Sequence, residues 1–198
     1  MVRFSSLFLL RRVATALLAA PLLAGCFQLR EPEPATGASE WLTPTSVDIL
    51  VSNFTTAVQH VNTGNYERSF VGTRYRFVPD PTSAGSTPAI FANWSVTEEL
   101  NYFTSLRRRT PTITATPNTL VLSNRRDNFY TTDSAEVSAN YQLRIAQTDT
   151  AFHANLLEGN IRLLVRFRNN EWKIAGWTDQ RTGTGACWTD LKKYFISH

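Results

Sequence analysis

The side chains that could carry acid–base chemistry in this 198-residue sequence are two aspartates and a tyrosine. Asp179 lies in the segment GWTDQR near the end of a predicted strand, Asp80 lies in a predicted loop, and Tyr141 lies in a long predicted strand. A carboxylate can act as a general base, with a tyrosine hydroxyl beside it, when both reach the substrate. An aspartate close to a turn is also consistent with a plain solvated surface position, so both interpretations stay open.

Other catalytic and metal-binding patterns are not found in the sequence. His60, His153 and His198 occur singly, and no spacing of cysteine and histidine fits a zinc site. There is no glycine-rich phosphate loop and no arrangement of Ser, His and Asp that would suggest a hydrolase. We therefore expect neither a metal nor a cofactor.

Cys26 follows a segment with the features of an export signal. Three arginines precede a short apolar run that ends in Leu-Ala-Gly-Cys. This ending resembles the lipobox of bacterial lipoproteins, which implies cleavage before Cys26 and lipid on its thiol. The alternative is an ordinary secretory signal. Because Phe27 does not resemble an inner-membrane retention signal, we expect the outer membrane, facing the periplasm.

The predicted organisation has three parts: a signal peptide over 1–25, a lipidated cysteine and flexible linker over 26–42, and one domain over 43–198. The linker sequence FQLREPEPATGASE has too few large apolar residues to bury a core. Removing the signal takes away three of the 20 Lys and Arg residues, which leaves 17 against 16 Asp and Glu. A nearly neutral mature chain gives no support for nucleic-acid binding.

The second cysteine, Cys187, has no partner if Cys26 carries lipid, so no disulfide is expected. The apolar residues that follow it recur at helical spacing: Trp188, Leu191, Tyr194 and Phe195. We predict a short terminal helix that docks on the rest of the domain, with Cys187 as a small buried hydrophobe.

The domain is predicted to begin with helices. Apolar residues recur at spacings of three and four over 47–61, which predicts an amphipathic helix with Thr45 as its N-cap. A short second helix is predicted over 65–71. A third begins at Ser95, because Glu98 completes the Ser-x-x-Glu pattern of a capping box.

Strands follow these helices. A short strand is predicted over 73–79, and an interrupted one over 112–123, where Pro117 suggests an edge or a bulge. Apolar and polar residues alternate over 135–145, 161–167 and 171–181, which is typical of long strands with one buried face. Helices gathered on one face of an antiparallel sheet define an α+β domain.

The last two strands form a predicted hairpin around Asn169-Asn170, a pair suited to a two-residue turn. In this register, Leu164, Ala175 and Trp177 point outward as an apolar strip among arginines. The predicted cross-strand pairs are Arg168 with Glu171, Phe167 with Trp172, Val165 with Ile174, and Leu163 with Gly176.

The order of elements resembles the NTF2-like superfamily, which includes ketosteroid isomerases and SnoaL-type cyclases. The matching segments over about 45–181 are NYERSF, WSVTEELNYF and GNIRLLVRFRNNEWKIAGWTD. The resemblance implies a cone in which a curved antiparallel sheet wraps around three helices from the N-terminal half. The superfamily contains both enzymes and non-enzymatic binding modules, so fold alone does not decide activity.

The resemblance implies two functions of different classes. A membrane-tethered binding or assembly module would have an apolar cone, packed solid or open to an apolar small molecule, with aromatic residues near its mouth: Tyr75, Trp94, Tyr102 and Tyr141. An isomerase- or dehydratase-type enzyme would use Asp179 or Asp80 with a tyrosine. The predicted inward faces of the strands carry no carboxylate and no histidine, which favours the first. The outer strip of Leu164, Ala175 and Trp177 is a candidate homodimer contact.

Overall fold

The first helix, α1, forms at Val47–Gln59 because its apolar residues fall on one side and Ser46 caps its N-terminus. The Ser46 hydroxyl accepts a hydrogen bond from the Ile49 N–H, so the prediction of Thr45 as the N-cap is wrong by one residue.

In this computed structural model the described residues are 41–72, 74–85, 87–111 and 117–198. The predicted signal, Cys26 and most of the linker lie outside these ranges.

Short elements connect α1 to the third predicted helix. Helix α2 spans Thr63–Arg68, slightly earlier than predicted, and strand β1 spans only Arg76–Val78. A single helical turn, α3, at Pro81–Ala84 and a 3-10 turn at Pro88–Phe91 occupy the region predicted to be a loop. Each begins with proline, whose fixed φ suits the first position of a helix.

Helix α4 spans Val96–Arg109 and begins as predicted. The Ser95 side chain accepts from the backbone of the first turn, and the Glu98 carboxylate accepts from the Ser95 N–H at 2.8 Å. This capping box fixes where the helix starts and therefore which residues face inward. Its buried residues follow helical spacing and include one carboxylate: Glu99, Tyr102, Phe103, Ser105 and Leu106.

Within the part of the chain that the structure describes, the sheet has five strands in the order β1-β5-β4-β3-β2. Strand β1 is parallel to β5, and the other neighbours are antiparallel. The strand predicted over 112–123 lies further toward the C-terminus than predicted. It starts at Thr119, after Pro117, and continues well beyond Ser123. Residues 112–116 lie outside the described ranges. The long strands are β2 Thr119–Thr131, β3 Ser134–Arg144, β4 Leu157–Arg168 and β5 Glu171–Arg181.

The β4–β5 hairpin confirms the predicted turn and the register nearest to it. Asn169 and Asn170 both have positive φ, 52° and 65°, as a two-residue turn of this type requires. Phe167 pairs with Trp172 and Val165 with Ile174, as predicted.

Beyond that point a β-bulge changes the register. Val165 pairs with Ile174, but the next residue toward the N-terminus, Leu164, pairs with Gly176, so Ala175 is the extra residue on β5. The predicted pairing of Leu163 with Gly176 is therefore wrong, and Leu163 lies opposite Trp177. The inward positions of β5 change parity after the bulge.

Trp177 is consequently a core residue and not part of an outer strip. It is 1% exposed and packs edge-on against the rings of Phe54 and Trp188. Leu164 and Ala175 remain half-buried. The predicted homodimer contact loses its largest member, and what is left of that prediction concerns Leu164 and Ala175 alone.

The chain ends in helix α5, Trp188–Ile196, as predicted. Its buried residues pack against α4 and the sheet: Trp188, Thr189, Leu191, Lys192 and Phe195. The described residues belong to one compact unit, 39–198. None of the helices in the described ranges combines the length and apolarity needed to cross a bilayer.

Candidate functional site

A carboxylate lies at the centre of the domain. Glu99 is 0% exposed because it occupies the inward face of α4, three and four residues before Tyr102 and Phe103. Such a group is costly to bury unless it is paired and hydrogen-bonded. The expectation of a wholly apolar interior is therefore wrong.

Lys192 of α5 supplies the paired cation. Its Nζ lies 2.8 Å from both carboxylate oxygens of Glu99, and its side chain is also 0% exposed. The same ammonium lies 3.6 Å from the ring centroids of both Phe77 and Trp177, within cation–π range. A charged lysine thus occupies an aromatic cage inside the fold.

Three further donors complete the coordination of Glu99. The Tyr66 hydroxyl donates to Oε1 at 2.6 Å, and the Tyr75 hydroxyl and Trp94 Nε1 each donate to Oε2 at 2.8 Å. With Lys192, the carboxylate accepts from four side chains, which uses most of the acceptor positions available to it.

The hydroxyl protons of this network have a fixed direction. Because Tyr66 donates to Glu99, it must accept from Tyr102, whose hydroxyl lies 2.9 Å away. Tyr102 in turn accepts from Trp188 Nε1 at 3.1 Å. A single donor chain therefore runs from the Trp188 indole through two tyrosines to Glu99.

A second buried carboxylate, Asp179, holds the N-terminus of α5. Its Oδ1 accepts from the Tyr141 hydroxyl at 2.8 Å, and its Oδ2 accepts from the Thr189 N–H and hydroxyl at 2.7 and 2.6 Å. Tyr141 also accepts from the Trp188 N–H at 2.7 Å. A carboxylate against the first turn of a helix is stabilised by the helix dipole, so these contacts fix α5 in place.

Asp80 also has structural partners. Its Oδ1 accepts from the Ser83 N–H at 2.8 Å, which caps α3, and its Oδ2 accepts from the Arg181 N–H at 3.0 Å. Burial works against the charged form, but the hydrogen bonds from Arg181 and Ser83 outweigh it and lower the pKa of Asp80. The carboxylate therefore stays ionised and joins α3 to β5.

Of the two interpretations of Asp80 and Asp179 that the sequence leaves open, the solvated surface position is wrong for both. Asp80 is 4% exposed and Asp179 is 1% exposed, and the β-bulge on β5 turns Asp179 inward together with Trp177. The pairing of Asp179 with Tyr141 does bring two predicted candidates together. Asp80 is connected to this pair through Thr189. Its N–H donates to the Thr189 hydroxyl at 2.9 Å, and that hydroxyl donates to Asp179.

The four aromatic residues predicted near the mouth of a cone lie inside it. Tyr75 and Trp94 donate to Glu99, Tyr102 is one hydrogen bond further away, and Tyr141 binds Asp179. Sequence reasoning missed Glu99, Lys192, Tyr66 and Trp188. A detectable signal existed for Glu99 and Lys192, because each charged residue is in phase with the apolar residues of its own helix.

Burial shifts the pKa values of the ionisable groups in this network. Desolvation lowers the pKa of Lys192 to about 8, although Glu99 acts in the opposite direction. Burial and the nearby Glu99 carboxylate raise the pKa values of Tyr66, Tyr75 and Tyr102 well above the ordinary range. Burial and Asp179 likewise raise the pKa of Tyr141.

These shifts predict the alkaline behaviour of the protein. Unfolded tyrosines ionise near pH 10, whereas these four keep their protons in the folded state, so the folded state binds more protons above that pH. Their stabilising effect is complete below about pH 10 and declines as the pH rises further. Absorbance at 295 nm should show four tyrosines ionising together with the loss of circular dichroism.

A matched control is Tyr130→Phe, since Tyr130 is 60% exposed. This substitution should leave the alkaline unfolding midpoint unchanged. Ionisation of the four buried tyrosines while the circular dichroism is still native would contradict the network as described.

Cys187 behaves as the sequence predicts. It is 0% exposed and free, and its Sγ lies 3.0 Å from the Ser83 hydroxyl. Burial, with a contribution from Asp179, raises the pKa of its thiol to about 12. A protonated buried thiol is unreactive. Within the described ranges, no group of three or more His, Cys, Asp and Glu residues could hold a metal ion.

The described residues form a curved sheet packed against helices, which is the NTF2-like α+β fold. The chain resembles several solved structures of this class. A provisionally named aromatic ring hydroxylase from Novosphingobium aromaticivorans has 17% identity and a TM-score of 0.55, over 74% of this chain and 93% of that one. No protein-family model matches the chain, and no curated protein matches it either.

Two other solved structures support the same fold. A provisionally named scytalone dehydratase from Novosphingobium aromaticivorans has 12% identity and a TM-score of 0.52, over 71% of this chain and 89% of that one. An NTF2-like protein of unknown function in nutrient uptake from Rhodospirillum rubrum has 10% identity and a TM-score of 0.51, over 70% and 99%. The TM-scores of these structures support a shared fold, whereas sequence identities this low leave the activity open.

Proposed function

We propose that this chain is a lipid-anchored envelope protein whose NTF2-like domain is a non-catalytic binding or assembly module. The observation that carries the non-catalytic part is the closed interior. Glu99 and Lys192 are 0% exposed and satisfy each other, and the surrounding hydroxyl and indole groups complete their hydrogen bonds. An enzyme needs room for a substrate beside its acid or base, whereas here side chains of the protein itself surround the Glu99 carboxylate.

The interior can be tested with small ring compounds. Scanning calorimetry of the full chain in detergent, with indole or phenol at increasing concentration, should show no rise in melting temperature. A ligand that enters the folded interior would raise it by mass action. A saturable rise that is lost in Glu99→Gln would contradict the non-catalytic proposal.

A second candidate function is a small-molecule isomerase or dehydratase. The observation in its favour is the Tyr141–Asp179 pair at 2.8 Å, together with a lysine whose pKa is lowered to about 8, since perturbed groups cluster at active sites. The hydroxylase and dehydratase names of two structural neighbours agree with it. This alternative requires α5 to withdraw from the interior, because its N-terminus binds both Tyr141 and Asp179. The titration with ring compounds therefore also tests this alternative.

The anchor is tested by the predicted lipid site. In a diderm bacterial host, the full chain should float with the outer-membrane fraction, and mass spectrometry should find diacylated Cys26 as the first residue. Cys26→Ser should leave a protein without lipid, because the predicted lipobox supplies the acceptor thiol. Cys187→Ser is the matched control and should remain lipidated, since Cys187 is buried in the domain. Membrane attachment that survives Cys26→Ser would overturn the anchor.

A further inference from the structure

The outer face of the sheet contains a polar hollow with a volume of about 480 Å³. It lies at the half of the sheet beyond the β5 bulge and is lined by β2, β3, β4 and β5. Apart from Ala139 and Ile161, the residues that line it carry amides, hydroxyls and two guanidinium groups, and none of them carries a carboxylate.

The strand register arranges these side chains in two parallel rows. Asn160 is the cross-strand partner of both Gln180 and Asn140, which gives a row of three amides. Ser138 is the partner of both Arg162 and Arg126, which gives a second row with a hydroxyl between two guanidinium groups. Neighbouring strands lie about 4.8 Å apart, so the two arginines are separated by roughly 10 Å at their backbones.

A second bulge raises one wall of the hollow. The pairing of β2 with β3 shifts between Ser123 and Arg126, and Asn124 has a φ of 53° at that point. A bulge increases local twist and bends the strand. The bend places Asn124 beside the amide row as part of the lining.

Among the described residues, the side chains in the two rows make almost no interactions within the protein. Neither Arg126 nor Arg162 has a carboxylate within 4 Å there, and the one hydrogen bond of the six row side chains is a long one, 3.4 Å from Ser138 Oγ to the Arg126 carbonyl. The carboxylates on the same face, Glu136 and Glu158, lie in the flanking rows and do not line the hollow. The hollow therefore has a local positive charge and many free donors and acceptors.

From this arrangement we infer that the outer face binds an acidic oligosaccharide. Amides and hydroxyls can both donate to and accept from sugar hydroxyls, and a guanidinium binds a carboxylate through two parallel hydrogen bonds. Two guanidiniums separated along a row of polar groups suit an oligosaccharide that carries more than one carboxylate. This inference rests on the proposed function in one respect: it names the class of ligand that the proposed binding module would take.

The test is calorimetric titration of the full chain in detergent with trigalacturonate, maltotriose and citrate. Trigalacturonate should bind saturably. Arg162→Gln should weaken it about tenfold or more, because the substitution removes a charge-assisted hydrogen bond to a carboxylate, and Asn160→Ala should also weaken it. Arg108→Gln, on an exposed position of α4, is the control for net charge and should leave the affinity unchanged.

Several results would overturn the inference. Equal affinity for maltotriose would show that charge plays no part, and equal affinity for citrate would show an anion patch only. Absence of binding, or an Arg108→Gln effect as large as that of Arg162→Gln, would remove the site. Because the lipid anchor and the closed interior are measured separately, failure here leaves the proposed function standing.

Discussion

Lys192→Met should lower the free energy of unfolding by about 3–5 kcal/mol, because it leaves the Glu99 carboxylate buried without its cation. The methionine side chain can fill the space between Phe77 and Trp177, so lost packing contributes little. Urea unfolding of the wild type and the variant, followed by circular dichroism, measures the difference.

Two comparisons separate the ion pair from other effects. Lys193→Met removes a half-buried lysine whose Nζ donates to the Ser83 carbonyl at 2.8 Å, and it should cost about 1 kcal/mol or less. The double variant Glu99→Gln/Lys192→Met should be more stable than Lys192→Met alone, since no unpaired charge remains. A loss in Lys192→Met no larger than in Lys193→Met would contradict the ion pair.

Gly159→Ala should lower the free energy of unfolding by about 2–3 kcal/mol through overpacking. A Cβ at this position would lie 2.6 Å from the Gln180 carbonyl oxygen and 2.7 Å from the Tyr141 hydroxyl oxygen. The carbonyl belongs to the neighbouring strand and can retreat only if β4 and β5 separate. Displacement of Tyr141 would also break its hydrogen bond to Asp179.

Gly185→Ala is the matched control. Gly185 is exposed, and a Cβ there would meet no atom within 4 Å. The same denaturant experiment should therefore show a change near zero for Gly185→Ala. Equal stability of the two alanine variants would show that Tyr141 does not pack over Gly159 as described.

The features that were predicted correctly depend on residues that are close to one another in the sequence. The Ser95–Glu98 capping box and the Asn169-Asn170 turn each specify local backbone geometry, and the fold class follows from the order of the elements they delimit. The position of Trp177 could not be predicted in this way. A bulge at Ala175 adds one residue without interrupting the apolar pattern, and only pairing with β4 reveals it.

The central ion pair was missed for a different reason. Glu99 and Lys192 are 93 residues apart, and a charged residue on a helix is ordinarily assigned to the solvent face. Each one is in phase with buried aromatics of its own helix, which is the physical signal that it faces inward. Pairing the two required knowledge of how α4 and α5 pack.

The position of α5 after every strand of the described sheet has a consequence for biosynthesis. Lys192, Trp188 and Thr189 all belong to α5, whereas their partners Glu99, Tyr102 and Asp179 are synthesised earlier. A ribosome-bound chain that has not yet released residue 192 cannot neutralise Glu99, so its interior would remain open to water and to chaperones. The interior of this domain is therefore completed only when α5 has left the ribosome and packed against α4 and the sheet.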